Sequence, residues 1–334
     1  MKGTNCMELQ IIKAIVHVLD SAAGAPVFSD ELLQLGGEEQ DYLAAHLQKA
    51  WSNDSQKRCA FQPESAFVAL LTQSQDFTQC SKQIAQMFFD QMRQYPAIPS
   101  ADLFVVFCSV DGREHAAVLK MNYKTAYVHH YQQVEGRHCN ALLKQRTILP
   151  PAGAKCDESV FVDMATGEVR LVEKKYELDG AKDLYLSTRV LQSTQAQPER
   201  VKLQTVQQAA RQAVKENYQQ DQSPESEVAA LLCEETAAAG GQLDVQRVKQ
   251  RLEQQFPLAV QDFTQELEQS GLSLDEQVQV PPARIKRMEY QTVKTESGIE
   301  LRIPVSLLAA KNEYVEFIND ADGTISLLLK GVVL

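Results

Sequence analysis

Hydrophobic and polar positions divide the chain into four textures. The first, LQIIKAIVHVLD at 9–20, is rich in Ile and Val and partly alternating, and predicts a strand. PVFSDELLQL follows at 26–35, where Ser29 or Asp30 can cap a helix. The clearest helical pattern runs from Asp76 to Tyr95. There Phe77, Cys80, Ile84, Met87, Phe88 and Met92 recur at three- and four-residue steps, and Pro96 and Pro99 end the run.

The second texture is strand-like. LFVVFCSV ends at Asp111-Gly112, a hairpin turn signal. HAAVLKMNY and TAYVHHYQQV continue as strands to a break at Glu135-Gly136, and ALLKQRTIL leads to Pro150-Pro151. SVFVDMATGEVRLVEKKYEL reads as strand, turn at Thr166-Gly167, and strand. Residues 103–178 therefore predict an antiparallel meander, with no room for the crossovers of a parallel sheet.

The third texture is helical. Val206, Ala210, Ala213, Val214 and Tyr218 share one side, and DQSPES at 221–226 interrupts the pattern. An Ala-rich helix follows from Glu225 to Ala239, closed by Gly240-Gly241. Leu243, Val245, Val248, Leu252 and Phe256 mark a further helix, and Phe263 with Leu267 the last. After Pro281-Pro282 the fourth texture returns to strands: MEYQTVKT, IELRIPVSL, EYVEFI and TISLLL, with a hairpin turn at Asp320–Gly323. The predicted fold class is α+β: N-terminal helices plus an antiparallel sheet, then a helical group and a small C-terminal antiparallel sheet. The expected domains are residues 1–195 and 196–334.

Apolar residues make up 44% of the 334 positions, enough for a sizeable core. Every apolar run is interrupted too early for a membrane span, and no membrane partner is expected. The N-terminus lacks a cleavage-site pattern, which argues against a signal peptide. The seven cysteines are scattered, with no C-x-x-C spacing, and predict free thiols in a reducing compartment rather than a disulfide framework.

The net charge of −11 argues against a strongly basic nucleic-acid coat protein, but its distribution is uneven. Residues 1–110 sum to −5, 111–215 to +4, 216–283 to −10 and 284–334 to zero. A basic centre is thus followed by an acidic helical stretch.

Several signatures are missing: G-x-G-x-x-G, the Walker P-loop, H-E-x-x-H and G-x-S-x-G. Four constellations remain. Lys120, Lys124, Lys144, Arg146, Lys174, Lys175, Lys182 and Arg189 stand among Tyr123, Tyr127, Tyr131, Tyr176 and Tyr185, a mixture suited to phosphate contacts or to a solvated sheet face. Arg284, Lys286 and Arg287 form the densest basic run and suit a phosphate backbone or pairing with the acidic helices. His115, His129, His130, His138 and Cys139 are soft ligands, though adjacent His129 and His130 point to opposite faces of a strand. Asp163 with Glu173 and Lys175 resembles the acid and E-x-K pair of a metal-dependent nuclease superfamily.

The runs ADLFVVFCSVDGREHAAVLKMNYKTAYVHH, NALLKQRTILP, KCDESVFVD and VEKKYELDGAKDLYLS resemble the bacterial nucleoid-associated protein family of the NdpA type, about 37 kDa in size. IVHVLD with FSDELLQL at the start, and ELRIPVSLL with TISLLLKG at the close, are similar in the same order. The resemblance implies a cytoplasmic, nucleoid-associated homodimer that binds double-stranded DNA largely without sequence preference. It carries over no catalytic residues, so no cofactor and no enzymatic activity are expected.

The DNA contacts expected from charge are Lys120, Lys124, Lys144, Arg146, Lys174, Lys175, Lys182, Arg284, Lys286 and Arg287. Two rivals stand beside this reading. One is a metal-dependent nuclease using Asp163, Glu173 and Lys175. The other is an interaction module whose acidic helices recruit DNA-processing proteins.

Overall fold

The computed structural model describes residues 7–74, 76–134, 136–218, 224–294, 297–309, 313–319 and 325–331. The expected turn at Asp320–Gly323 lies outside them, as do Glu135 of the expected Glu135-Gly136 break and part of DQSPES. The chain divides after Gln197 into two compact units. The class is α+β, and among the described residues no helix is long and apolar enough to cross a membrane.

In chain order, the N-terminal unit contains β1 (Leu9–Leu19), α1 (Glu38–Trp51), β2 (Lys57–Cys59), α2 (Ala66–Gln73), α3 (Phe77–Gln94), β3 (Ala101–Val110) and β4 (Arg113–Asn122). Then come β5 (Lys124–Val134), β6 (Arg137–Ile148), β7 (Glu158–Asp163), β8 (Val169–Val172), β9 (Tyr176–Leu178) and β10 (Ala181–Asp183). A six-stranded antiparallel sheet has the order β1-β3-β4-β7-β8-β2.

Strand alternation sorts the sheet's side chains between two cores. Leu103 and Val105 of β3, Ala116 and Val118 of β4, and Val160 and Val162 of β7 pack with Ile84, Phe88 and Met92 of α3. Phe104, Val106, Ala117, Leu119 and Phe161 pack with Leu43, Leu47 and Ala50 of α1. A sheet buried on both faces explains why LFVVFCSV is a continuous apolar run rather than an alternating one. Asp76 caps α3, accepting from the Thr78 and Gln79 amides at 2.8 and 3.3 Å.

Two expectations fail here. PVFSDELLQL is not helical, because its backbone is claimed by β1: Val18 and Val27 exchange hydrogen bonds, and Leu33 N–H donates to Ala14. TAYVHHYQQV and ALLKQRTIL are strands but leave the meander. They pair only with each other, as β5 and β6, while β4 pairs directly with β7.

The C-terminal unit contains α4 (Glu199–Asn217), α5 (Pro224–Ala238), β11 (Gln242–Asp244), α6 (Val245–Gln255), α7 (Val260–Gln269), β12 (Gln277–Gln279) and α8 (Pro282–Met288). β13 (Tyr290–Lys294), β14 (Glu300–Pro304), α9 (Val305–Ala309), β15 (Val315–Asn319) and β16 (Ile325–Leu329) complete it. Val206, Ala210, Val214, Val248, Leu252 and Phe263 share its core. Gly241 is required between α5 and β11: its φ is +101°, and a Cβ there would lie 2.9 Å from the Val280 carbonyl oxygen. Two details depart from expectation. The basic run after Pro281 is the helix α8, with Pro282 at its first turn. IELRIPVSL changes from strand to helix at Pro304.

Candidate nucleic-acid interface

β5 and β6 form a ribbon inserted between two paired strands of the main sheet. Eleven and twelve residues long, the strands extend roughly 35 Å at the rise of an antiparallel strand. Almost all of its described residues from 124 onward are exposed or half-buried, on both faces. Residues 124–148 contain Lys124, Arg137, Lys144 and Arg146 against a single acid, Glu135. None of the four cations has an ion-pair partner among the described residues.

Cross-strand register assigns the faces, because directly opposed residues point the same way. One face pairs Tyr127 with Lys144, His129 with Leu142, Tyr131 with Asn140 and Gln133 with His138. Its polar groups are tied diagonally. His129 Nε2 lies 3.1 Å from Asn140 Oδ1, and the Tyr131 hydroxyl 2.5 Å from His138 Nδ1. The Tyr131 and His138 rings are also stacked, 5.6 Å apart. The opposite face pairs Ala126 with Gln145, Val128 with Leu143, His130 with Ala141 and Gln132 with Cys139. The first face therefore combines aromatic rings with Lys144, and the second carries the apolar Val128–Leu143 pair among Ala126, Ala141, His130, Gln132 and Gln145, with Arg137 at its tip end opposite Val134. A register shift near the ribbon's root sets Arg146 and Thr147 against Thr125.

The expected contact residues separate into several environments. Lys124 stands exposed at the root of the ribbon, Lys144 on its aromatic face and Arg146 in the irregular step. Lys174, Lys175 and Lys182 are exposed in the same unit, with Lys174 Nζ 3.6 Å from Asp157. Arg189 is held at 3.0 Å by Asp179 and lies over the Tyr95 ring. Arg284, Lys286 and Arg287 lie on α8 of the C-terminal unit.

Lys120 must be removed from the contact set. It faces Glu158 across β4 and β7, and Nζ to Oε2 is 2.9 Å with both side chains fully buried. Asn122 Oδ1 takes a second Nζ–H at 2.6 Å, and the Tyr176 hydroxyl donates to Glu158 at 3.1 Å. Tyr176 and Tyr185 are core residues as well, and burial beside Glu158 pushes both hydroxyls well above the usual range. Tyr123 bonds Asp102 at 2.6 Å. Of the five tyrosines, only Tyr127 and Tyr131 are exposed on the ribbon.

The nuclease constellation does not assemble. Asp163 and Glu173 lie at opposite ends of the β7–β8 pair, where Val162 opposes Val169 and Ser159 opposes Val172. Five residues of strand separate them, roughly 17 Å at the rise of an extended strand, too far for one metal ion. Each carboxylate is also engaged. Asp163 accepts from the Ala165 and Thr166 amides at 2.9 and 3.0 Å, and the Thr166 amide holds its carboxyl below the usual range. Glu173 is bonded to Lys57 at 2.8 Å and to the Ser187 amide at 2.9 Å. Nor do the histidines converge: His115 is buried beside Asp163, away from the ribbon. Among the described residues no group of three His, Cys, Asp or Glu could hold a metal ion.

Arg137, at the ribbon tip opposite Val134, belongs to the basic set but was missed. Its available signal was its place beside Gly136 in the hairpin turn.

A family model described as nucleoid-associated protein YejK matches residues 15–333. No curated protein matches the chain.

Proposed function

The chain belongs to the nucleoid-associated protein family, and from that premise we propose that it binds duplex DNA through the β5–β6 ribbon, largely without sequence preference. The observation that carries this reading is the ribbon itself: exposed on both faces and bearing Lys124, Arg137, Lys144 and Arg146 with no ion-pair partner among the described residues. A two-stranded ribbon is thin enough to enter a DNA major groove, and cations along it meet phosphates on the groove walls. Tyr127, Tyr131 and Asn140 on the Lys144 face add hydrogen-bonding groups. Lys175 and Lys182 extend the basic surface in the same unit.

The Val128–Leu143 face supports a second element of the proposal, a homodimer. An isolated two-stranded hairpin is at best marginally stable in water. Here Val128 and Leu143 stand opposite each other and exposed. A second copy of the chain would cover this pair and bring two ribbons to one duplex. The family's nucleoid association supports a cytoplasmic location at the nucleoid for this activity.

The test is duplex binding as a function of salt. Four phosphate contacts give a log–log slope of about −3.6, so affinity should fall about a hundredfold between 50 and 200 mM salt. A flat response removes the phosphate contacts from the account.

A further inference from the structure

We propose that the C-terminal unit contains a phosphate-binding cleft of its own, built by Arg211, Arg284 and Arg287, that receives a nucleotide phosphate. Arg211 comes from α4, and Arg284 and Arg287 from α8, and all three line one hollow. Among the described residues no carboxylate lines it, and none of the three has an ion-pair partner. The unit as a whole carries a net negative charge. Some cations of the unit are paired, Lys202 with Glu199 and Glu276, Lys215 with Glu225, and Arg251 with Glu234 and Glu235; Arg200, Arg247, Lys249 and Lys286 have no such partner among the described residues, and what sets the three arginines apart is that they share one hollow.

Three guanidiniums facing one hollow repel each other until an anion joins them. Their planar forks match phosphate oxygens in pairs. Arg302 lies 4.3 Å over the ring of Tyr290, another lining residue, and adds a fourth guanidinium nearby. Gln291 also lines the cleft; its Oε1 accepts from Ser226 Oγ at 3.4 Å, and its amide NH2 is the end not engaged by Ser226.

The apolar lining narrows the ligand class. Tyr290 is exposed at the cleft and Met288 half-buried, and a bare inorganic anion would gain nothing from them. A sugar or base attached to the phosphate would pack there. Arg211 also lines an adjoining groove along α4, with Gln208, Gln212 and the Lys215–Glu225 ion pair. The Gln208 amide suits the oxygens of a neighbouring phosphodiester, while Gln212 Nε2 already donates to Glu216. The shared chemistry is a nucleotide phosphate, supplied either as a free nucleotide or within a strand.

The site is independent of the ribbon, so it is tested in the full chain with Lys124, Arg137, Lys144 and Arg146 changed to Ala. Inorganic phosphate, adenosine monophosphate and a short oligothymidylate are titrated separately at low salt. Saturable binding of the nucleotide is expected, tighter than that of inorganic phosphate. Binding of the mononucleotide identifies the free ligand as the source; binding of the oligothymidylate alone identifies a strand. R284Q/R287Q should weaken binding at least about tenfold, and R211Q, on a different helix, should weaken it as well. R284K/R287K keeps the charge without the fork and should fall between. No binding by either nucleotide probe overturns the proposal. So does unchanged binding by R284Q/R287Q with its helical circular dichroism intact.

Discussion

The main sheet and the ribbon are consecutive stretches of antiparallel strand, yet they use the same local sequence in opposite ways. Val118-Leu119-Lys120 on β4 and Leu142-Leu143-Lys144 on β6 are both an apolar pair followed by lysine. Lys120 faces Glu158 and is sealed within a core. Lys144 faces Tyr127 on an exposed face. The partner strand decides: β7 brings a carboxylate within a packed core, while β5 brings an aromatic ring on a face left exposed among the described residues. A basic residue in a strand pattern therefore becomes a structural cation or a ligand-facing one according to what stands across from it.

The largest effect expected from this contrast is on stability. K120A leaves Glu158 buried without its cation and should destabilise the N-terminal unit by about 3–5 kcal/mol. K144A removes an exposed side chain and should stay within about 0.5 kcal/mol. Trp51, the single tryptophan, lies against Phe161 in this unit, so its fluorescence during urea unfolding reports both variants. Equal effects would break the comparison.

Next in size is a pH effect from the sheet edge. His17 on β1 is buried, with Ser29 N–H donating to Nδ1 at 3.1 Å and Nε2 3.0 Å from Ser81 Oγ. Burial, with Lys82 nearby, lowers its pKa from 6.5 to about 4. The unfolded chain then takes the proton at higher pH than the folded one. Stability from this group is complete above pH 6.5 and is lost as pH falls toward about 4, by up to about 3 kcal/mol. H17Q should flatten that part of the profile; an unchanged slope would assign the acid sensitivity elsewhere.

The smallest expected change in stability comes with a change in assembly. V128K/L143K charges the Val128–Leu143 ribbon face and should leave the protein monomeric in sedimentation at concentrations where the unaltered chain forms the proposed dimer, while the Trp51 transition moves by no more than about 0.5 kcal/mol. A variant still dimeric would place the interface on another surface.

The sequence shows the helix at Phe77–Gln94 and the strands of the sheet because their periodicities are strong and their ends carry Asp76, Asp111-Gly112 and Thr166-Gly167. It does not show which strands pair. TAYVHHYQQV and ALLKQRTIL are as strand-like as their neighbours, and only the β4–β7 register excludes them from the sheet. The same long-range pairing hid the fate of Lys120, whose partner lies 38 residues away. PVFSDELLQL misled because a capping signal cannot reveal that β1 takes its backbone hydrogen bonds. Arg137 was passed over because a lone arginine at a turn does not stand out among denser basic runs.

The central claim is that the ribbon, rather than the basic stretch as a whole, holds the phosphates. The direct test compares the salt dependence of duplex affinity for the unaltered protein with that of the variant in which Lys124, Arg137, Lys144 and Arg146 are Ala. The account predicts a log–log slope shallower by about 3 to 4 in the variant, together with much weaker binding at low salt. Parallel lines of equal affinity would contradict it.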